Sequence, residues 1–400
     1  EGQSSNVSSA SFTAQLVKSN QQAVALTIGD LVSGEILPGQ EAVYSFTLAA
    51  ARNLVFDTLN DESGLHWTLE GPRGIEVNQQ TIGRADSGNN SDDISLELPA
   101  GAYTLRIAGY GDNQGEYAFR LLDTAGAAVV TLGAETAGQL NPGAETDLYT
   151  FTAAAGDTIA IQRLAGPDWG GSSYFRVIDP SGRQVFGPEY FYQGYGALTF
   201  EAPMSGAYTL LIEGLSYLTE PEDYSFSVTQ TGNTPPPDLS QGSALTLGSV
   251  VSATLAVDDA VDSYTFTTTS PMVVYLDSLA DVWERSWILE GPRGVEMDWR
   301  AFAYSDSFED YDDLAIDLPV AGTYQLRVTG TAGDYSFRLL DLAAATPITV
   351  DDTEITGTLQ PGRSTQMFSF AANAVNSSRM DSLTSSDQST RSILFTATTM

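Results

Sequence analysis

Cysteine is absent from the sequence, which excludes disulfide bonds, thiolate metal sites and cysteine nucleophiles. Histidine occurs once, at His66, whereas a mononuclear zinc enzyme normally uses two or three histidine ligands. A Ser-His-Asp triad would have to use His66, and no Gly-x-Ser-x-Gly motif accompanies it. Carboxylates are plentiful, but no spacing singles out a hydrolytic pair. The sequence therefore predicts a protein that is not an enzyme.

Basic residues are few, at 17 Lys and Arg against 51 Asp and Glu, and the net charge is −34. Binding to nucleic acid or to anionic lipid needs clustered basic side chains, so neither partner is expected. No apolar run reaches the roughly 18 residues of a membrane span. The chain begins at Glu1 without Met, as a secreted protein does after signal-peptide removal, although a truncated chain would look the same.

One strand sequence occurs three times along the chain. It reads Gly-x-Tyr-x-Leu-x-Ile or Val, at Gly101–Ile107, Gly206–Ile212 and Gly322–Val328. Each copy is preceded by a Tyr-x-Phe strand and a Pro-x-Gly turn, and is followed by a second aromatic strand. A fixed period indicates tandem domains, and short runs that alternate apolar with polar residues indicate β-strands.

A second, longer repeat is present in addition to the short one. Leu69–Gly74 returns as Leu289–Gly294, 220 positions later, and Leu140–Phe151 returns as Leu359–Phe370. The order is therefore A-B-A-B′, and we name the three complete copies A1, B1 and A2. The similarity of the fourth unit to B1 ends near Ala374, so that unit is expected to be partial.

The predicted fold class is all-β, with tandem antiparallel β-sandwich domains of jelly-roll type in an elongated array. The predicted units are an N-terminal extended segment (1–25), A1 (26–126), B1 (127–232), a Pro-rich linker (233–243), A2 (244–343) and a partial fourth unit with an unpatterned Ser-rich tail (344–400). Within the fourth unit, strands are expected at Ile355–Leu359 and Gln366–Phe370.

At these motifs the chain resembles the bacterial pre-peptidase C-terminal (PPC) domain family. The matching features are the Pro-Gly turn before Tyr-x-Phe in Gly34–Phe46 and Gly138–Phe151, the Asp-Pro-x-Gly turn Asp179–Gly182, and the closing Gly-x-Tyr strand. The resemblance implies secreted or cell-surface jelly-roll sandwiches that accompany peptidases or build large surface proteins. Some members bind calcium or polymers. No peptidase domain accompanies the repeats in this sequence.

Two acidic loops occupy matched positions in A1 and A2. Their oxygen-bearing residues are Asp86, Asn89, Asn90, Asp92 and Asp93 in A1, and Asp306, Glu309, Asp310, Asp312 and Asp313 in A2. Calcium binds six to eight hard oxygens on a flexible loop, so these are the candidate calcium ligands. The alternative, which the sequence favours because the spacing fits no fixed calcium motif, is a solvated acidic turn that protects a strand edge. No cofactor is required.

B1 carries aromatic residues where the A copies carry these acids. They are Trp169, Tyr190, Phe191, Tyr192 and Tyr195. Exposed aromatic rings stack on sugars or enter protein interfaces, and alternate members of such a run also pack in a core. The sequence favours packing in the core or in a protein interface over glycan binding, because no group of polar residues that could bind sugar hydroxyls accompanies the rings.

Both ends of the chain carry sequence features that predict self-assembly. Phe12, Ala14 and Leu16 lie in an alternating stretch that the repeat does not require, and the incomplete fourth unit is expected to leave an open sheet edge. Strand addition between these ends would build a head-to-tail filament, whereas truncation of a longer chain would produce the same two ends.

The predicted function is that of a non-catalytic secreted structural protein of the cell surface or extracellular matrix, self-assembling or bound to other surface proteins. The alternative is the accessory substrate-binding or glycan-binding region of a secreted hydrolase, with polysaccharide as the partner.

Overall fold

The computed structural model describes residues 23–84, 95–166, 173–190, 196–305, 315–349, 355–372 and 393–399. Nearly every element in these ranges is a β-strand, and the other elements are four single-turn 3₁₀ segments. The ranges contain no α-helix and hence no helix with the length and hydropathy of a membrane span.

A1 contains nine strands in two sheets. The strands are β1 (Val24–Ala25), β2 (Val32–Ile36), β3 (Glu41–Leu48), β4 (Arg52–Thr58), β5 (Leu65–Gly71), β6 (Gly74–Thr81), β7 (Ser95–Leu98), β8 (Gly101–Gly109) and β9 (Gly115–Asp123). One sheet has the order β1-β3-β8-β5-β6 and the other has the order β2-β9-β4-β7. All pairings are antiparallel except the short parallel contact of β1 with β3.

B1 and A2 repeat this arrangement strand for strand. The strands of B1 are β10 (Ala128–Val129), β11 (Glu135–Leu140), β12 (Thr146–Ala153), β13 (Asp157–Ala165), β14 (Ser173–Ile178), β15 (Gln184–Tyr190), β16 (Leu198–Glu201), β17 (Gly206–Gly214) and β18 (Glu222–Asn233). The strands of A2 are β19 (Ser243–Ala244), β20 (Val251–Leu255), β21 (Val261–Thr268), β22 (Met272–Ser278), β23 (Arg285–Gly291), β24 (Gly294–Ala301), β25 (Ala315–Leu318), β26 (Gly322–Gly330) and β27 (Gly333–Asp341). Their sheet orders correspond to those of A1. The predicted all-β class of tandem antiparallel sandwiches is confirmed.

Alternation along the repeated strand places its apolar side chains between the two sheets. Tyr103, Leu105 and Ile107 of β8 are all buried, and each sandwich has one such core. In A1 the core contains the Phe56 ring stacked on Trp67, with centroids 4.0 Å apart. Burial of each large apolar side chain contributes roughly 1.5–3 kcal/mol, so the three cores supply the main stabilisation of the fold.

The Pro-x-Gly turn and the Gly-x-Tyr strand occur together because they touch. A Cβ atom on Gly101 would come 2.2 Å from Cγ of Pro72, and one on Gly322 would come 2.4 Å from Cγ of Pro292. B1 has the same contact between Gly206 and Pro180. The glycine at the start of the repeated strand is therefore required by the close approach of the turn.

A buried tyrosine pair joins the two sheets of every sandwich. The hydroxyls of Tyr44 and Tyr117 are 2.6 Å apart, and the equivalent pairs Tyr149–Tyr224 and Tyr264–Tyr335 have the same separation. In B1 and A2 a carboxylate completes the network: Tyr224 donates to Asp147 and Tyr335 donates to Asp262, each at 2.5 Å. A1 has Ala42 at this position and so lacks the carboxylate.

The fourth unit differs from the sandwich pattern. Its strands are β28 (Thr346–Pro347), β29 (Gln366–Ala372) and β30 (Ile393–Thr399), and both pairings are parallel. The expected strand at Ile355–Leu359 is wrong, because no counterpart of β18 is present among the described residues to pair with it. β30 follows the Ser-rich stretch and pairs in parallel with β29, so it forms one side of this three-stranded sheet.

The tyrosine pairs predict a graded effect of removing one hydroxyl. Tyr224→Phe should lower the free energy of unfolding of B1 by about 1.5–3 kcal/mol, because a hydrogen bond to a carboxylate is lost. Tyr117→Phe in A1 should cost only about 1 kcal/mol, because its partner is a neutral hydroxyl. Amide hydrogen exchange, measured separately for the amides of each sandwich, would give both free energies of unfolding. Tyr217→Phe, which changes an exposed tyrosine, is the control. Equal losses for the two buried variants would contradict the role assigned to Asp147.

Candidate functional site

A1 and B1 are joined face to face through the outer surfaces of two sheets. Val55 on β4 of A1 packs with Ile178 and Leu211 on β14 and β17 of B1, and Leu122 and Leu148 flank them. Val55 and Leu211 are fully buried. These positions point away from the core of their own sandwich, so burial there reflects packing between domains. Apolar residues on an outward face therefore define the joint.

A buried carboxylate lies next to this apolar contact. Arg120 on β9 donates from Nε and Nη2 to Oδ2 of Asp57 on β4, at 2.7 and 2.5 Å. The other oxygen, Oδ1, accepts from the backbone N–H of Thr146 in B1 at 3.1 Å. Arg120 also reaches into B1, where Nη1 donates to Glu145 Oε1 at 2.9 Å. The Asp57 side chain is 0% exposed, and its bonds connect the two sandwiches.

The same joint occurs between A2 and the fourth unit. Arg338 donates to Asp277 from Nε at 2.7 Å and from Nη2, and Asp277 Oδ1 accepts from the N–H of Thr365 at 3.0 Å. Arg338 Nη2 also donates to the carbonyl of Thr365 at 3.1 Å. Ser364 replaces Glu145, so this second joint lacks the additional ion pair. We call the Asp-Arg-Thr arrangement the A–B clamp.

B1 lacks the clamp residues at the matching positions. Gln162 and Ser227 are paired across β13 and β18 as Asp57 and Arg120 are paired across β4 and β9. Gln162 is exposed. The surface by which an A copy holds a following B copy is therefore not repeated on B1, and the next junction must form in another way.

The junction of B1 with A2 uses turns and the linker that follows β18. Arg183 donates to the carbonyl oxygens of Arg293 and Val295, the latter at 2.9 Å. Asp179 fixes the turn that carries Arg183, because its Oδ1 accepts from the N–H groups of Ser181 and Arg183 at 2.8 and 3.0 Å. Arg183 remains 32% exposed, so this contact is more hydrated than the clamp.

A second buried ion pair lies on the outer face of the B1 sheet. Arg176 Nε donates to Glu213 Oε2 at 2.7 Å, and the two side chains are 2% and 0% exposed. Glu213 Oε1 accepts no hydrogen bond from a described residue. The A copies have Thr68 and Ala108, or Ile288 and Thr329, at these positions, so the pair belongs to B1 alone.

Burial raises the pKa of Glu213 and of the two clamp carboxylates. Desolvation raises the pKa of Glu213 to about 7, and the charge of Arg176 opposes the shift. Burial likewise raises the pKa of Asp57 and of Asp277, against the neighbouring Arg120 and Arg338. Each carboxylate is held in its position by a guanidinium, but its removal from water favours the protonated form.

The residues predicted as sites are mostly not described by the structure. Outside the described ranges lie all ten candidate calcium ligands, the assembly residues Phe12, Ala14 and Leu16, and the aromatic residues Trp169, Phe191, Tyr192 and Tyr195. Tyr190 is described: its ring lies 4.4 Å from that of Tyr174, and the residue is 39% exposed. No group of three metal-binding side chains occurs within the described part of the chain.

The single histidine packs against an aromatic ring. The His66 ring lies 4.6 Å from that of Tyr110, and burial lowers the pKa of His66. Tyr110 is itself anchored, because its hydroxyl donates to the carbonyl of Gln79 at 2.8 Å. These contacts give His66 a packing role in A1.

The clamp was not predicted, although the sequence contains a signal for it. Asp57 follows Phe56 and precedes Thr58, and Asp277 follows Leu276 and precedes Ser278, 220 positions later. A charged residue that recurs on the outward side of a strand in both A copies, and is absent from B1, indicates a contact specific to A. Its partner could not be inferred because Arg120 is remote in sequence.

Removing the clamp carboxylate should uncouple the two sandwiches. Asp57→Ala is expected to lower the free energy of unfolding of the A1–B1 pair by about 3–5 kcal/mol, because it leaves the part-buried Arg120 without its main partner. Calorimetry should then show separate transitions for A1 and B1 in place of a joint one. Gln162→Ala, at the matching exposed position of B1, is the control and should change stability by at most about 0.5 kcal/mol. Similar losses for the two variants would refute the clamp.

The buried pair in B1 predicts a pH dependence. Because the pKa of Glu213 is raised to about 7 from 4.5, its contribution to stability is complete below pH 4.5 and is lost as the pH rises through 7. The free energy of unfolding should fall by on the order of 3 kcal/mol over this interval, and Asp57 acts in the same direction. Urea titrations at several pH values would measure the slope. Glu213→Gln should reduce the slope, and an unchanged slope would rule out Glu213 as its source.

Comparisons with known proteins give structural similarities of low score. No family model matches the chain, and no curated protein matches its sequence. Among solved structures, PliG from Aeromonas hydrophila, a periplasmic inhibitor of g-type lysozyme, is 21% identical over 26% of this chain and 96% of its own, with a TM-score of 0.21. The CUB1-EGF-CUB2 region of human MASP-1/3 is 9% identical over 50% of this chain and 99% of its own, with a TM-score of 0.19. At these TM-scores, neither similarity bears on what the chain does.

Proposed function

We propose that the chain is a non-catalytic, secreted structural protein in which sandwiches joined as stiff A–B pairs act as spacers and contact modules. The observation that carries the proposal is the recurrence of the A–B clamp. Asp57, Arg120 and Thr146 return as Asp277, Arg338 and Thr365 with the same hydrogen bonds. A geometry kept in both copies fixes how one domain sits on the next, and this is the property that a spacer requires.

The charge of the chain and the resemblance to PPC domains support the location. A net charge of −34 keeps an extracellular protein soluble and opposes non-specific association between copies. The PPC resemblance implies secretion or display on the cell surface. Calcium binding at the two acidic loops and filament formation through Phe12, Ala14 and Leu16 belong to the same proposal, and both depend on residues outside the described ranges.

The alternative proposal is an accessory binding region of a secreted hydrolase. Its supporting observation is Tyr190, which is 39% exposed and packs on Tyr174 at the end of the hairpin β14–β15. A polymer that binds there would lose affinity on Tyr190→Ala, whereas a spacer would not be affected by that substitution.

Distances between sandwiches test the spacer proposal. The protein has no cysteine, so spin labels can be attached to cysteines introduced at exposed Thr47 in A1, Thr199 in B1 and Thr267 in A2. Pulsed electron paramagnetic resonance should give a narrow A1–B1 distance distribution and a broader B1–A2 distribution. Asp57→Ala should broaden the first without affecting the second. A broad A1–B1 distribution in the unmodified chain would contradict the proposal.

A further inference from the structure

A2 differs from A1 by exposed aromatic residues at one end of a hairpin. Trp283 is 55% exposed and Trp299 is 47% exposed. The equivalent residues of A1 are Ser63 and Gln79, and both are also exposed. Because A1 folds in the same way without them, the two tryptophans are not needed for the core of A2. Exposed aromatic rings that the fold does not require indicate a binding surface.

The position of the Trp283 ring is fixed by contacts within A2. Its ring meets Tyr304 edge to face, with centroids 4.3 Å apart. The N–H of Ala303 donates to the carbonyl of Val282 at 3.0 Å, which ties the 3₁₀ turn Phe302–Tyr304 to the loop that carries Trp283. Phe302 is fully buried in the core. The ring pair is therefore positioned before any ligand arrives, which lowers the entropy lost on binding.

The orientation of Trp299 is also fixed. The guanidinium carbon of Arg327 lies 5.8 Å from the centre of its ring, and Arg327 Nε donates to Glu290 Oε2 at 2.8 Å. The cation covers one side of the indole and is itself held by a carboxylate. With about half of its surface still exposed, the ring has area left to stack on a ligand.

The two tryptophans flank the same strand pair. Ala301 on β24 pairs with Ser286 on β23; Trp299 lies two residues before Ala301, and Trp283 lies three residues before Ser286. Chain geometry limits the separation of their Cα atoms to about 24 Å. We call Trp283, Trp299 and Tyr304 the A2 aromatic corner. Two aromatic contact points on either side of one residue pair of a hairpin suit a chain of several rings better than a single small molecule.

Nearby charges select among ligands. Exposed Asp281, Glu284 and Asp298 lie within two residues of the tryptophans, and the whole chain carries a net charge of −34. This negative field repels nucleic acids, anionic lipids and acidic polysaccharides. Carboxylates accept hydrogen bonds from hydroxyl groups, and aromatic rings stack on the apolar faces of pyranose sugars.

A neighbouring sandwich does not cover this surface in the first A–B pair. The loop after β17 of B1 reaches A1 where Ser216 Oγ donates to the carbonyl of Gly83 at 3.1 Å. Ser63, the counterpart of Trp283, nevertheless stays exposed in A1 with B1 docked. The position of Trp283 therefore lies beside the A–B joint and not inside it.

We infer that the A2 aromatic corner binds an uncharged, pyranose-based polysaccharide by ring stacking on Trp283 and Trp299. This activity is separate from the spacer role, because none of its residues belongs to the A–B clamp. It would let a structural chain attach to the polymer matrix around a cell, through one sandwich of the array.

Retention on insoluble polymers tests the inference. The full chain is incubated with microcrystalline cellulose, chitin and curdlan, and the bound fraction is measured in physiological salt. Retention on at least one polymer is expected. Trp283→Ala and Trp299→Ala should each weaken the apparent affinity for that polymer about tenfold, and the double variant should not be retained. Tyr217→Ala, which removes a 61% exposed ring from B1, is the matched control and should bind normally.

Thermal unfolding and sedimentation distinguish loss of polymer binding from unfolding and from self-association. Thermal unfolding of the double variant should match that of the unmodified chain, because both tryptophans are exposed. Absence of retention on all three polymers would overturn the inference, as would undiminished retention of the double variant. A concentration-dependent dimer in sedimentation, abolished by Trp283→Ala with no polymer bound, would also overturn it by assigning the corner to a second copy. Failure of these tests leaves the distance measurements on the A–B pair unaffected.

Discussion

A carboxylate that is buried at a domain boundary requires its partners, and this constraint governs the arrangement of the chain. Asp57 is removed from water only if Arg120 supplies a counter-charge from A1 and Thr146 supplies a backbone N–H from B1. Either partner alone would leave a lone pair or a charge uncompensated at low dielectric. The relative placement of A1 and B1 is thus specified by hydrogen-bond geometry, while Val55, Ile178 and Leu211 supply the apolar contact. The polar group therefore determines the relative orientation of the two sandwiches, and the apolar residues supply the buried contact area.

Sandwiches of the same topology differ in the residues on their outward faces, and these residues determine which sandwich can pack on them. B1 presents Ile178 and Leu211 on its five-stranded sheet, where A1 has Glu70 and Arg106 at the equivalent positions. An A copy is therefore unsuited to accept another sandwich on that sheet as B1 does, because the contact would remove charged side chains from water. The alternation of A with B is encoded in these few outward positions. The cores, which determine the shared topology, carry little of this information.

The sequence was sufficient for the fold and insufficient for the joints. Alternation within Tyr103, Leu105 and Ile107 identifies a half-buried strand, since period two is a local property that one segment contains in full. The pairing of Asp57 with Arg120 depends on two strands that lie far apart in the chain, and the bond to Thr146 crosses into another domain. Such contacts follow from tertiary structure, which local patterns do not encode. The strand expected at Ile355–Leu359 is wrong for the same reason: its pattern is adequate, but the described residues contain no strand that pairs with it.

The aromatic residues show a further limit of pattern analysis. The run that includes Tyr190 is dense in sequence, whereas Trp283 and Trp299 are isolated in sequence and are brought to the same end of a hairpin only by the pairing of β23 with β24. Comparison of the A copies position by position, Ser63 against Trp283, reveals them without any structure. Differences between nearly identical repeats therefore carry information that motifs shared by the repeats do not.

The unequal junctions have a mechanical consequence. Between A1 and B1, extension would have to pull Asp57 out of a dry interface, whereas between B1 and A2 it need only release the hydrated Arg183 from two carbonyl groups. A chain under tension would therefore yield first at the linker with Pro235, and each A–B pair would move as one body. Compliance would be concentrated at the B1–A2 junction, so the two A–B pairs would act as stiff rods joined by one soft hinge.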